Sequence, residues 1–262
     1  MSSFETVAGV EIKMAGLFKK YFRSLYERTM RESYELAYQE IGNAISKESK
    51  LLDCGAGSGW YFKVLSERFG VQIDQYYGIE WDRDSANKAR QKGLNVVEAD
   101  LNAGIPHESG TFDCVIGLSV LEHLLMGCRW MRECKRVLKP GGKLVIVTPN
   151  ISTYFTAALL LAGRMPSTGP HPDTNILVNS AGLTSIGAHM ENKDPDVESD
   201  TPVHRHLVVF SYRELRRFLV GIGFGKVVGS GFGVYPFPNF SQPLFERFDK
   251  MHAHQLVFVA TK

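Results

Sequence analysis

The sequence has few cysteines and no long apolar segment. Four cysteines occur in 262 residues, and none of them forms a Cys-x-x-Cys pair. Since most of them lie in apolar or helical patterns, we interpret them as reduced core thiols of a cytosolic protein. No apolar run reaches the length that crosses a bilayer, and residues 1–13 lack the basic and apolar pattern of a signal peptide. We therefore expect a cytoplasmic protein without stable membrane insertion.

An excess of charge of one sign is also missing. The formal net charge is +2, and the densest basic groups are the pairs Lys19-Lys20 and Arg216-Arg217. A nucleic-acid-binding surface concentrates lysine and arginine, so we expect no nucleic-acid partner. With 44% hydrophobic and 22% charged residues, the chain has the composition of one large globular domain with a full core.

Two familiar nucleotide-binding motifs are absent from the glycine-rich stretch at 51–60, LLDCGAGSGW. A dinucleotide motif would need glycine at position 60 or 62, where Trp60 and Phe62 stand, and no Gly-Lys-Ser/Thr follows for a Walker loop. The stretch does contain a short apolar run, an acid, and glycine at positions 55, 57 and 59, before a segment with helical apolar spacing. Strand, glycine loop and helix in this order are typical of a nucleotide-type pocket, and a plain turn is the alternative.

Acidic residues follow two of the next predicted strands. Glu80 lies near the end of one strand and can accept the hydroxyl groups of a ribose, while Trp81 can stack on a purine. Asp100 ends the following strand, where its carboxylate can accept from an adenine amino group and the Leu101 N–H can reach a ring nitrogen. Because the carboxyl ends of parallel strands meet at one edge of a sheet, we expect these residues near the glycine loop.

The rest of the chain predicts further regular elements. Residues 14–47 predict one or two aromatic-rich helices, which either cover the core or close the pocket entrance. Ser211 and Glu214 have the spacing of a capping box at the start of a helix. The remaining predictions are strands at 75–82, 95–101, 143–148, 224–231 and 255–261, a strand within 110–124 that continues into a helix ending near 138, and helices at 60–69, 84–92 and 212–220.

The motifs between residues 48 and 150 together resemble the small-molecule class I S-adenosylmethionine-dependent methyltransferases, which include the ubiquinone and menaquinone biosynthesis enzymes. The resemblance is carried by LDCGAGSG at 52–59, GIE at 78–80, ADL at 99–101, FDCV at 112–115, VLEHL at 120–124 and LKPGG at 138–142. It implies an α/β fold, with a Rossmann-like, doubly wound sheet of seven strands whose last strand is antiparallel. It also implies a methyltransferase domain at 48–262 and S-adenosylmethionine as the cofactor, and the helical pattern before this domain predicts an N-terminal helical cap at 1–47.

The resemblance further implies a cofactor site along the carboxyl edge of the sheet. Its members are Asp53, Gly55, Ala56, Gly57, Glu80, Trp81, Asp100, Leu101 and Ser119. The residues of the glycine loop would surround the methionine part, Glu80 the ribose and Asp100 the adenine. The residues from Ser119 to His123 would border the sulfonium and the acceptor.

Residues 150–206 differ in character from the motif-rich part. An apolar segment at 154–162 predicts a helix too short to span a bilayer, and a stretch rich in proline and glycine and an acidic run at 191–200 follow. We predict an insertion after strand five that forms a lid over the acceptor side. A solvated loop is the alternative for the acidic run.

Some relatives hold a magnesium ion with two glutamates and a histidine around the Leu-Glu-His stretch. Here Ser119 stands three positions before Glu122, where those relatives have glutamate. Because an oxygen-preferring cation needs several carboxylates, we expect no metal site. A further departure is Val208, which stands at the arginine position of a His-x-Arg-x-Phe-Ser/Thr stretch found in many relatives. The Asn/Asp-Pro-Pro-Tyr box of DNA and protein N-methyltransferases does not occur.

Catalysis of methyl transfer needs in-line alignment above all, because the sulfonium is already electrophilic. A base is needed only when the acceptor must lose a proton, and His123 and His206 are the candidates, with His204 behind them. Glu122 can orient His123 or cap its helix, and Arg205 can hold an anionic group. For each histidine, a packing or capping role is the alternative.

The sequence thus predicts an enzyme that transfers a methyl group to an oxygen, nitrogen or carbon atom of a small, partly apolar molecule. A regulatory module that binds S-adenosylmethionine or S-adenosylhomocysteine without catalysis is the alternative. A nicotinamide-dependent oxidoreductase is disfavoured by Trp60. Neither the acceptor nor the oligomeric state follows from the sequence.

Overall fold

The structure, a computed structural model, describes residues 2–163 and 206–262, with side chains described from residue 20 onward. Its strands are β1 (Leu51–Cys54), β2 (Tyr76–Glu80), β3 (Asn95–Glu98), β4 (Phe112–Leu118), β5 (Leu138–Pro149), β6 (Lys226–Phe232) and β7 (Gln255–Thr261). They form one sheet in the order β3-β2-β1-β4-β5-β7-β6. Strand β7 is antiparallel to β5 and β6, and the other pairs are parallel. The predicted seven-stranded sheet with an antiparallel last strand is confirmed.

Helices cover both faces of this sheet. They are α1 (Ser2–Gly42), α2 (Trp60–Phe69), α3 (Arg83–Gln91), α4 (Gly127–Val137), α5 (Tyr154–Leu161), α6 (Tyr212–Gly221) and α7 (Gln242–Phe248). On one face, Ala37 of α1 and Leu65 of α2 pack in a cluster with Val145 of β5. On the other face, Trp130 of α4 packs in a cluster with Ile146, the next residue of β5. Adjacent residues of one strand therefore serve two cores, as expected for a sheet between two helical layers.

Two predicted boundaries around strand four and strand five are wrong. The predicted helix directly after strand four is replaced by a 3-10 turn, Leu121–His123, and α4 begins only at Gly127. Gly127 packs so tightly against Leu121 that an added Cβ would lie 2.7 Å from the Leu121 Cδ1 atom. Strand β5 begins at Leu138 rather than at 143, because Gly141 and Gly142 exchange backbone hydrogen bonds with Lys262 at 2.9 and 3.0 Å. The glycines therefore lie inside the strand instead of preceding it.

Helix α1 is a single helix that starts before the predicted segment at 14–47. It is held by the segment between β6 and β7, for which the sequence analysis made no prediction. The Arg28 guanidinium donates to both carboxylate oxygens of Glu246 at 2.8 and 3.2 Å, and Tyr235 Oη donates to Thr29 Oγ1 at 2.8 Å. This buried polar contact fixes the helix against the sheet, and the division into a cap at 1–47 and a domain at 48–262 stays a prediction.

Helix α5 follows β5 and agrees closely with the apolar helix predicted at 154–162. Thr153 and Thr156 form a reciprocal capping box at its start. The acidic run at 191–200 lies outside the described residues, and the lid at 150–206 stays a prediction. Among the residues that the structure describes, no helix combines the length and the apolar character of a transmembrane span.

Candidate active site

The loop between β1 and α2 contains three glycines with positive φ, at 81° for Gly55, 52° for Gly57 and 86° for Gly59. A Cβ added to Gly55 would lie 2.7 Å from Val120 Cγ2, so the close packing of the loop excludes a side chain there. A Cβ added to Gly57 would meet nothing within 4 Å. Gly57 therefore combines a backbone conformation that glycine tolerates with open space that a ligand can use.

Backbone hydrogen bonds tie this loop to the end of β2. Gly55 N–H and Ala56 N–H donate to the Ile79 carbonyl at 2.8 and 3.0 Å. Gly57 N–H donates to Glu80 Oε2 at 2.8 Å. The loop is thus held in a defined shape by the protein itself, and Glu80 is part of that support.

Glu80 has capacity for a ligand in addition to this role. Its side chain is 8% exposed, and its second oxygen accepts from Asp82 N–H at 2.9 Å. A carboxylate oxygen has two acceptor positions, so one on each oxygen remains for the two hydroxyl groups of a ribose. Trp81, the next residue, is 51% exposed and presents an aromatic surface beside Glu80.

Asp53 lies inside the sheet, in β1, and is not exposed to solvent at the site. It is fully buried in β1, where its Oδ2 accepts a hydrogen bond from the Tyr76 hydroxyl. Its Oδ1 has no hydrogen-bond partner among the described residues. Burial raises the pKa of Asp53 to about 7, with a smaller contribution from the charge of Glu80, while the Tyr76 hydrogen bond acts in the opposite direction. A buried acceptor without a partner suits a ligand that brings a donor.

Asp100 follows β3 and is exposed. Its Oδ1 accepts from the backbone N–H of Asn102 at 2.8 Å and from the Asn102 side chain at 3.0 Å. Asn102 Oδ1 in turn accepts from Met126 N–H at 2.9 Å, at the start of α4. Leu101 is buried. Asn102, which the sequence analysis did not single out, thus fixes the orientation of Asp100.

Ser119 has an unusual backbone conformation directly after β4. Its φ of 56° is the one positive value among the non-glycine residues that the structure describes. Its N–H donates to the Val147 carbonyl at 2.8 Å, and its hydroxyl lies 2.8 Å from the hydroxyl of Tyr34. Such a conformation costs about 1–3 kcal/mol and persists only where neighbouring contacts hold it.

Tyr34 and Tyr61, which the sequence analysis did not single out, lie beside Ser119. Tyr61 Oη donates to Tyr34 Oη at 3.3 Å, and the two rings stack with centroids 6.2 Å apart. Tyr61 lies on α2 and Tyr34 on α1, so the helix that the sequence identified only as aromatic-rich contributes to the wall of the site. The aromatic content of residues 14–47 was the sequence signal for this contact.

Glu122 is buried at the edge of the sheet, next to Ser119. Its side chain is 1% exposed, and its Oε2 accepts from the Thr148 hydroxyl at 3.0 Å. Burial raises the pKa of Glu122 to about 7, although hydrogen bonds from its own backbone, Thr148 and Ser119 act in the opposite direction. The Glu122 carbonyl accepts from Leu207 N–H at 2.7 Å and from Val208 N–H at 3.3 Å.

The structure brings the three predicted catalytic residues together. The rings of His123 and His206 meet edge to face, with centroids 5.2 Å apart and an angle of 70° between their planes. Nitrogen atoms of these rings and a carboxylate oxygen of Glu122 lie within 4.8 Å of one another. His204 and Arg205, the other two candidates, lie outside the described residues.

Comparisons with known proteins identify the family of this chain. A family model described as "Methyltransferase domain" matches residues 26–227. A "Probable S-adenosylmethionine-dependent methyltransferase" of Mycobacterium tuberculosis is 27% identical over 123 residues, which are 46% of this chain and 43% of that protein. The "Ubiquinone biosynthesis O-methyltransferase" of Xanthomonas oryzae pv. oryzae is 32% identical over 121 residues, or 44% of this chain and 48% of that enzyme. The chain thus spans about half the length of the curated relatives it matches.

Solved structures share the fold over most of the chain. A SAM-dependent methyltransferase from Archaeoglobus fulgidus superimposes with a TM-score of 0.52 at 15% identity, covering 92% of this chain and 100% of that one. One from Mesorhizobium loti gives a TM-score of 0.52 at 17% identity, covering 86% and 98%. At these identities the likeness concerns the fold alone.

Proposed function

Because this chain belongs to the methyltransferase-domain family, we propose that it transfers the methyl group of S-adenosylmethionine to a small, partly apolar molecule. One observation carries the proposal. The glycine loop follows β1, Glu80 ends β2 and Asp100 follows β3; these strands are neighbours in the sheet, and an added Cβ at Gly57 would meet nothing within 4 Å. This is the arrangement that a ligand with a nucleoside and a charged amino acid end requires.

The order of the strands in the sheet suggests the order in which the methionine part, the ribose and the adenine of S-adenosylmethionine would lie along its edge. Neighbouring strands are about 4.8 Å apart, so the ends of β1, β2 and β3 lie side by side over about 10 Å of the edge. The methionine part would lie at Asp53, Gly55, Ala56 and Gly57, the ribose at Glu80, the adenine near Trp81, Asp100 and Leu101, and the sulfonium near Ser119. In this pose the ammonium end of the ligand would lie on the side of Asp53, whose Oδ1 has no hydrogen-bond partner among the described residues.

The methyl group would leave by in-line displacement toward the acceptor side, where His123, His206 and Glu122 lie. An acceptor that carries a proton must lose it, and an imidazole can take it near neutral pH. Helix α5 follows β5 at the same edge, and its side chains Leu160 and Leu161 are 59% and 91% exposed. Apolar surface of this kind supports an acceptor with an apolar part.

Calorimetric titration of the full chain with S-adenosylmethionine, S-adenosylhomocysteine and NAD tests the cofactor. We expect the first two to bind and NAD not to bind, and the opposite result would overturn the proposal. Incubation with methyl-labelled S-adenosylmethionine and extracts of metabolites and lipids then tests transfer. Tight cofactor binding without labelling of any compound would favour the regulatory module instead.

A further inference from the structure

The backbone of His254 is fixed at the edge of the sheet where the expected cofactor site lies. His254 directly precedes β7, and its carbonyl accepts at 3.0 Å from the N–H of Asn150, which directly follows β5. Its own N–H donates at 2.8 Å to the carbonyl of Gly233, one residue beyond β6. Because the ends of three strands hold this backbone, the sheet sets the place of the His254 side chain.

Two tyrosine rings border the His254 imidazole. Tyr235 stacks on it with ring centroids 5.0 Å apart, and Tyr26 of α1 meets it edge to face at 5.9 Å. Tyr235 is fixed to α1 in turn, because its hydroxyl donates to Thr29 Oγ1 at 2.8 Å. All three rings are partly exposed, so some aromatic surface of each remains for a ligand.

The His254 imidazole is enclosed without a polar partner. Within residues 20–163 and 206–262, neither of its ring nitrogens forms a hydrogen bond or an ion pair, and burial alone lowers its pKa to about 4. The ring is therefore neutral at physiological pH, with one N–H donor and one acceptor nitrogen. Enclosed polar atoms without partners are costly, and a ligand that supplies the missing hydrogen bonds removes this cost.

The sheet and α1 give similar distances between this imidazole and the expected sulfonium site. Ser119 follows β4 and His254 precedes β7, which lies two strands away, or about 10 Å along the edge. On α1, Tyr34 contacts Ser119, and Tyr26 lies eight positions earlier, about 12 Å away. His254 is thus too far from the methyl group to act as the base, and it lies where the opposite end of an acceptor would be.

We propose that Tyr26, Tyr235 and His254 form a subsite for the end of the acceptor opposite to the methylated atom. The inference deepens the proposed function and rests on it for the place of the methyl group. A flat or apolar body would pack on the tyrosine rings. A hydroxyl or amide group can both donate to and accept from a neutral imidazole.

The surroundings of His254 also select against charged ligand groups. No charged side chain of the described residues acts on its imidazole, so a carboxylate or an ammonium at this point would lose its hydration without gaining an opposite charge. The acceptor class that fits is a neutral molecule in which about 10 Å separate the methylated atom from a hydroxyl or amide group.

Benzyl alcohol, toluene and benzoate test the subsite, because they share a ring and differ in one group. Each is titrated into the full chain, with and without S-adenosylhomocysteine, and the imidazole nitrogen signals of the isotope-labelled protein are followed by NMR. We expect benzyl alcohol to shift the His254 signal saturably. It should bind about fivefold more tightly than toluene, as one additional hydrogen bond provides, and more tightly than benzoate.

His254→Phe keeps a ring beside the two tyrosines and removes both nitrogens. It should abolish the preference for benzyl alcohol over toluene, and S-adenosylhomocysteine binding would show that it is folded. His252→Phe is the matched control, because the His252 ring also stacks on a tyrosine, Tyr154 at 4.8 Å, but is paired with Asp249 at 2.7 Å. It should keep the wild-type preference.

Three results would each overturn the subsite. They are a His254 signal that benzyl alcohol leaves unchanged, binding of toluene or benzoate as tight as that of benzyl alcohol, and a wild-type preference in His254→Phe. Calorimetry with S-adenosylhomocysteine is a separate measurement. Loss of cofactor binding would overturn the proposed methyl transfer, whereas loss of the benzyl alcohol preference alone would overturn only the subsite.

Discussion

The hydroxyl of Tyr34 lies 2.8 Å from the hydroxyl of Ser119, although 85 positions separate the two residues. The contact joins α1 to the residue that follows β4, where the backbone has its unusual positive φ. A hydroxyl pair at this distance holds Ser119 from the helix side, while the Val147 carbonyl holds it from the sheet. Helix α1 thus takes part in shaping the expected sulfonium site.

Removal of the Tyr34 hydroxyl should therefore weaken cofactor binding. Tyr34→Phe keeps the ring and its stacking on Tyr61 but loses the hydroxyl contacts with Ser119 and with the Tyr61 hydroxyl. We expect about fivefold lower affinity for S-adenosylmethionine, or about 1 kcal/mol, because the shorter contact with Ser119 is the one that supports the site. Tyr21→Phe is the control, because the Tyr21 hydroxyl donates to the Pro236 carbonyl on the same helix but outside the site. Equal affinities of both variants in calorimetry would contradict this role.

Gly57→Ala should reduce the affinity for S-adenosylmethionine by more than its loss of unfolding free energy explains. The substitution places a methyl group in the open space of the loop at a φ of 52°. Gly110→Ala is a close match, since Gly110 has a φ of 69° and nothing within 4 Å of an added Cβ. Both variants should lose about 1 kcal/mol of unfolding free energy from the left-handed conformation. Only Gly57→Ala should lose S-adenosylmethionine affinity, and a parallel loss in both would show that strain alone is responsible.

The buried pair of Arg28 and Glu246 should be important for stability. Glu246→Gln removes the charge opposite Arg28 and keeps an acceptor for Gly233 N–H, which donates to Glu246 Oε1 at 2.7 Å. We expect a loss of about 2 kcal/mol in the free energy of unfolding, less than is usual for a broken buried pair because Glu32 still contacts Arg28. Urea unfolding measures the change.

A surface pair on the same helix provides the control for this variant. Glu35 accepts two hydrogen bonds from Arg68 at 2.7 and 2.9 Å, but both side chains are exposed. Solvent screens such pairs, so Glu35→Gln should leave the urea midpoint unchanged within error. A larger effect of Glu35→Gln than of Glu246→Gln would refute the assignment of α1 anchoring to the buried pair.

Asp53 should give the ligand-free protein a specific pH dependence. Its pKa of about 7 in the folded chain lies above the ordinary value of 3.8, chiefly because the group is buried. The folded state therefore holds a proton that the unfolded chain releases, and the resulting stability is fully present below pH 3.8 and lost as the pH rises through about 7.

Asp53→Asn removes this titration and keeps an acceptor for the Tyr76 hydroxyl. Relative to the variant, the wild type should become less stable as the pH rises from about 4 to about 7, with no further change above this range. Urea unfolding of both proteins across this range without ligand checks the prediction. A constant difference between them would show that Asp53 does not titrate in this window.

Local patterns in the sequence were sufficient for much of the fold. Strand β7 has the predicted bounds, because its apolar run at 255–261 is buried along most of its length. Ser211 accepts from Glu214 N–H as the N-cap of α6, which is one half of the predicted capping box. The alternation of loop glycines and strand-end acids also placed Glu80 and Asp100 at one edge, since parallel strands align their carboxyl ends.

Local sequence patterns did not predict the contacts between residues that are distant in the chain. The pairing of Tyr34 with Ser119 and of His206 with His123 depends on how α1 and the segment after residue 205 lie on the sheet. The start of α4 was missed because it depends on the packing of Gly127 against Leu121 and on Asn102, and neither contact has a helical periodicity. Buried long-range polar contacts of this kind carry no short-range sequence signal.

The hydrogen bonds of Gly55, Ala56 and Gly57 to the end of β2 have a consequence for the kinetics of ligand capture. They hold the loop in shape in the chain without ligand, so the backbone need not become ordered during binding. The entropy lost on association is then confined to the ligand and to a few side chains. The observed association rate should rise linearly with ligand concentration, without the plateau that a slow rearrangement of the loop would impose.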